Sequence, residues 1–155
     1  MRCNLLKKYV LFLFLAFLIS FFPINALQLK FNEKTIRCVP ITSSLKLTVD
    51  YTHSVSLTEV TDVYCVNSSG IFAVQERWQE FEAGQPLEGY AEDGFFVKDM
   101  NMYLGKSWQY WFIPLNNVTV TLNGNVVLSK PSEEGILEFE VFKIPAVMIA
   151  IGWCE

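Results

Sequence analysis

His53 is the only histidine in this 155-residue chain, so a catalytic triad or a zinc site would have to be built around one imidazole. No cysteine or carboxylate stands at metal-ligand spacing from it, and a general base needs a positioned partner. The expected place for His53 is the end of a strand, in solvent. Gly-x-Ser-x-Gly, His-Glu-x-x-His and phosphate-cradling glycine loops do not occur. Glu138 and Glu140 should share one face of a strand, as glycosidase carboxylates do in some folds. Alternation gives such a pair to any half-exposed strand, so a solvated face is the simpler reading. Glu82, Glu88, Glu92 and Asp93 could offer oxygen ligands to calcium, but they lack the spacing of a calcium loop. No catalytic residue, metal or cofactor is assigned.

The aromatic residues offer more. Tyr103, Trp108, Tyr110, Trp111 and Phe112 lie within ten residues of one another. On a strand, Trp108, Tyr110 and Phe112 line one face and Trp111 looks the other way. One face of such a strand is ordinarily core. If the other is exposed, Trp111 and Tyr103 would make a platform for stacking on sugar rings or anchoring a protein interface. Asn67-Ser68-Ser69 and Asn117-Val118-Thr119 are acceptor sequons beside predicted turns, usable in a host that glycosylates exported proteins.

The N-terminus indicates where such chemistry would operate. Arg2, Lys7 and Lys8 precede a nearly unbroken apolar run from Tyr9 to Phe22, Pro23 follows, and Ile24-Asn25-Ala26 offers a cut site. The run of 14 residues is short of the ~20 needed to span a bilayer. The expectation is a signal peptide over 1–26 and a mature domain over 27–155, with an uncleaved signal anchor as the alternative. Residues 27–155 form one domain of ordinary size, with no linker dividing them. Without the leader the chain keeps 9 basic and 16 acidic residues, a net charge of −7. Such a surface repels phosphate backbones, which argues against a nucleic-acid partner. Export permits disulfides. Cys38, Cys65 and Cys154 remain after cleavage, so at most one internal bridge forms and one thiol is left over, with burial as its expected fate and pairing with another chain as the alternative. Spacing does not decide among the three pairings.

Period two dominates the elements that must position these residues. Leu27–Phe31 and Leu45–Val49 alternate apolar and polar, and Val55–Val66 is β-branched up to the turn at Asn67–Gly70. Ser107–Ile113 is stopped by Pro114. Val118–Leu122 and Asn125–Ser129 flank Asn123-Gly124, whose residues suit a type I′ hairpin. A strand starts at Gly135, Lys143–Pro145 interrupts it, and Ala146–Trp153 reads as a final apolar strand. Ile71, Val74, Trp78 and Phe81 fall at spacings of three and four, which also suits one short helix. Glu82–Gly94 reads as the longest loop. Seven to nine strands of this kind predict an all-β fold, a small sandwich of immunoglobulin-like or related type.

Cys65 followed by Trp78 resembles the first half of the immunoglobulin pattern, but Gly152 stands where that pattern places tyrosine before its second cysteine. The opening from Leu27 to Cys38 resembles the luminal GOLD domain of cargo receptors, which continues into a coiled coil and a membrane span that are missing here. Neither resemblance assigns a family. The functional expectation is a non-enzymatic exported domain, secreted or otherwise extracytoplasmic, that binds a protein or glycan or joins a surface assembly. The alternatives are a secreted hydrolase using carboxylates and a membrane-anchored form of the same domain, whose membrane contact would be the signal segment alone.

Overall fold

A computed structural model describes residues 2–80 and 88–154. Helix α1 (Arg2–Ser20) is followed by β1 (Pro23–Phe31), β2 (Lys34–Pro40), β3 (Leu45–Thr52), β4 (Glu59–Asn67) and β5 (Gly70–Trp78). After the segment 81–87 come β6 (Tyr90–Glu92), β7 (Phe95–Gly105), β8 (Ser107–Phe112), a 3-10 turn at Pro114–Asn116, β9 (Thr119–Leu122), β10 (Asn125–Ser129), β11 (Gly135–Pro145) and the short helix α2 (Ala146–Ala150).

The strands form two antiparallel sheets, one ordered β2-β1-β11-β8 and the other β10-β9-β3-β4-β5-β7-β6. This is the expected small β-sandwich. Alternation explains the layering: Leu27, Leu29, Leu137, Phe139 and Val141 face inward from the smaller sheet, and Leu47, Val49, Val66, Ile71 and Val120 meet them from the larger. A second, smaller cluster joins Ala26, Cys38, Ile144 and Cys154, with Ile24, Phe142, Met148 and Ile149 packed around it. It includes the far end of the smaller sheet and the half-buried helix α2.

Several sequence expectations change here. No helix starts at Ile71: Gly70–Trp78 is strand β5, paired on both edges, and Phe81 of the expected helical set lies outside the described residues. A bulge at Val74 shifts the register, so the inward set runs Ile71, Ala73, Glu76, Trp78, and the extra residue imitates helical spacing. Residues 143–145 do not interrupt β11, which runs through to Pro145 against Pro23. Ala146–Trp153 is not a strand: α2 and a turn replace it. An apolar run of that length carries no period that separates buried helix from buried strand. The expected strand start at Val55 is also early, because 54–58 belong to a turn and β4 begins at Glu59. The described residues form eleven strands, beyond the seven to nine expected; β2, β6 and β7 are additions, and β5 stands where the spacing also suits a short helix. Glu82, Gly84 and Pro86 lie outside the described residues, while the end of the expected loop contains β6 and its turn at Asp93-Gly94.

Asn116 closes the crossing between the sheets. It is buried, its Nδ2 donates to the Thr52 carbonyl at 2.8 Å, and its Oδ1 accepts the Ile113 amide at 2.9 Å. Asn116→Ala removes both bonds and leaves two backbone groups without them, which is expected to cost about 2 kcal/mol. A urea unfolding midpoint unchanged from the parent protein would contradict this role.

Candidate functional site

The inner layer holds an unusual polar cluster. Asp62 and Tyr64 point inward from β4, Tyr51 from β3, and Tyr110 crosses to them from β8 of the opposite sheet. The Tyr110 hydroxyl donates to Asp62 Oδ2, and the Tyr64 hydroxyl hydrogen-bonds Tyr110. The rings pack as well, with Tyr51 6.1 Å and Tyr64 6.5 Å from Tyr110 between centroids. Asp62 is one of two buried polar residues among those described, the other being Asn116.

A carboxylate placed there loses hydration. Burial pushes the Asp62 pKa up to about 6; the hydrogen bonds from Tyr110 and Tyr51 oppose this, and the negative charges of Glu76 and Asp50 add to it. Burial, followed by the charge of Asp62, raises the tyrosines too, above their ordinary range. The cluster can therefore hold a proton near neutral pH. Glu76 is opposite Asp62 on β5 and pairs across with Lys98 on β7, and the same two strands place Trp78 on Phe96 with centroids 5.2 Å apart. Nearby, Asp50, Tyr51, Thr61, Thr119 and Lys130 line a groove of about 480 Å³ in which Asp62 has no part.

The residues singled out from sequence are distributed over different faces. Tyr110 belongs to the cluster above. Trp108 packs edge-on to it at 6.5 Å and is 37% exposed at the rim. Trp111 is on the opposite side of β8, 64% exposed, and pairs with the exposed Ile136 of β11. Tyr103 is on the outer face of the larger sheet, where it packs on Phe72 and donates to the Ser69 carbonyl. Trp111 and Tyr103 therefore do not form one platform. His53 sits in the turn after β3 with Nδ1 3.2 Å from Ser56 Oγ. Glu138 and Glu140 flank Lys30, at 3.7 and 3.5 Å, as a cross-strand ion cluster. Glu88, Glu92 and Asp93 are exposed, and no group of acids, histidines or cysteines suited to a metal occurs among the described residues. Glu82 lies outside them.

Cys38 and Cys154 form the disulfide, and Cys65 is the free thiol. Cys65 is half-buried, less sheltered than expected for a spare cysteine, on the outer face opposite Lys46. Asn67 ends β4, where its side chain accepts the Ser69 amide at 2.8 Å, and Asn117 is exposed in a left-handed turn after the 3-10 segment. Sequence reasoning misses Asp62, Tyr51 and Tyr64 as site residues. The available signal is an acid in the inward register between Val60 and Tyr64, a position where alternation calls for an apolar side chain.

Residues 47–128 match the model of a family described as a domain of unknown function (DUF1850). No curated protein matches the chain, and no solved structure does. The matched region runs from β3 to β10 and includes Asp62, its three tyrosines, Trp108 and Trp111. It covers just over half of the sequence, and the chain belongs to the DUF1850 family.

Proposed function

We propose that the chain is an extracytoplasmic, non-enzymatic binding domain that engages a protein or glycan partner through strand β8. The observation that carries this reading is Trp111, 64% exposed beside Ile136 at 48%, on the edge strand of the smaller sheet. A tryptophan left in water on an unpaired edge is an interaction surface in search of a cover. Trp108 is 37% exposed at the rim on the other side of the same strand, so β8 offers an accessible tryptophan on each face. The disulfide supports an oxidising compartment. A carboxylate hydrolase has less support: Glu138 and Glu140 surround a lysine, and Asp62 is held by tyrosines within the sandwich.

A photo-crosslinking side chain at position 111, installed in the exporting host, should capture a partner, while the same group at the exposed Asn125 should not. Trp111→Ser should weaken the captured complex at least about tenfold, within the range for a tryptophan hot spot. Equal labelling at both positions, or a purified domain that cleaves glycosides or esters and loses that activity in Asp62→Asn, overturns the reading.

A further inference from the structure

Helix α1 is poorly suited to water. From Tyr9 to Leu15, and again at Phe17, every described side chain is apolar and between 48% and 67% exposed, with no polar face. A helix apolar all round is stable only where something apolar surrounds it. Its end is joined to the domain without a linker. Phe21 and Phe22 alone separate α1 from β1, and the Phe22 carbonyl accepts the Ala146 amide of α2 at 3.0 Å. Around this junction Phe21, Phe22, Ile151 and Trp153 are all more than half exposed. The Cys38–Cys154 bridge holds the last two in place.

We propose that α1 is retained in the working protein as a lipid-embedded anchor, with Phe21, Phe22, Ile151 and Trp153 forming a collar at the membrane interface. Removal after Ala26 would take Pro23, Ile24, Asn25 and Ala26 out of β1, where they pair with Pro145 to Phe142 of β11. Ala26 is fully buried and is part of the cluster around the disulfide. The same cut would remove the Asn25 carbonyl that accepts the Ile41 amide at 2.8 Å. Retention keeps that end of the sheet intact, and the bilayer supplies the surroundings that α1 lacks. Aromatic side chains at the collar suit the headgroup level.

Among the described residues no helix is long and apolar enough to cross a membrane. The helical part of the apolar stretch, Tyr9 to Ser20 at 1.5 Å per residue, reaches only about 18 Å against a hydrocarbon core of about 30 Å. The anchor is thus a short one, and the lipid thins around it or Lys7 and Lys8 extend outward.

The test uses the full chain with a C-terminal tag in an exporting host. Alkaline carbonate should leave the protein in the membrane pellet, and its intact mass should include α1. A mass beginning at Phe21 or later overturns the proposal, as does a chain that keeps α1 but is washed free. For the collar, the purified full chain is placed in phosphatidylcholine–phosphatidylglycerol vesicles containing brominated lipid. Bromine should quench the tryptophan emission, and Trp153→Phe should abolish most of the quenching while leaving the far-ultraviolet circular dichroism unchanged. Quenching that persists in Trp153→Phe overturns the collar. Crosslinking from position 111 reads a different face, so the two proposals fail separately.

Discussion

Replacing Cys38 and Cys154 with alanine is expected to lower unfolding stability by as much as about 5 kcal/mol, the chain-entropy value for a closed loop this long. The bridge joins residues 116 apart, from β2 to the turn that follows α2. Without it the unfolded chain gains most of its lost freedom. The native state also loses the clamp that holds α2 and its turn over Ala26 and Ile144. A domain's whole stability is about 5–15 kcal/mol, so the change approaches that total. Residual structure in the unfolded chain reduces it. Urea unfolding with and without reductant measures the effect directly. Cys65→Ala, which touches no bridge, should shift the midpoint little. If the double variant and the reduced protein unfold at the parent midpoint, the bridge contributes nothing.

The second large effect is a pH dependence originating at Asp62. Its folded pKa, about 6, lies above the unfolded value of 3.8, so the fold binds a proton that the unfolded chain releases. The associated stability is fully present below about pH 4 and is lost as pH rises through 6. By pH 8 ionisation of the carboxylate removes about 3 kcal/mol relative to pH 4, because each tenfold difference in proton affinity between folded and unfolded chain is worth about 1.4 kcal/mol. The groups facing it are Tyr51, Tyr64 and Tyr110, whose hydroxyls favour the charged form or are neutral, and Glu76 and Asp50, which oppose it. Asp62→Asn keeps an oxygen for the Tyr110 hydroxyl and removes the charge. It should match the parent near pH 4, exceed it by roughly 2–3 kcal/mol at pH 8, and flatten the profile between. A parent and variant that fall together across this range would exclude Asp62 as the source.

Much of the layered architecture was legible because period two survives wherever one face is buried. Leu45–Val49 and the Asn123-Gly124 hairpin appear where alternation and turn chemistry place them, the latter with φ of 49° and 81°. The failures have local causes. Strand β2 follows a turn at Asn32-Glu33, both left-handed with φ of 49° and 65°, and glutamate announces no such turn. Asn32 holds that geometry from outside the hairpin: its side chain accepts the Ile136 amide and donates to the Glu134 carbonyl, contacts more than a hundred residues away. Asp93-Gly94 was by contrast a readable hairpin signal between β6 and β7. Of the candidate site, the aromatic content of β8 was legible and its division between two faces followed from alternation. The proximity of Tyr110 to Asp62 was not, since it depends on how one sheet is laid across the other.

Strand β1 takes β11 as its neighbour along its entire length, from Pro23 opposite Pro145 to Phe31 opposite Leu137. The first of the described strands therefore waits for the last. Until residue 145 has been made, β1 and β2 can pair only with each other, and the edge of β1 that takes β11 stays open. Assembly of the smaller sheet is then a single late event, and the bridge between Cys38 and Cys154 closes only after it.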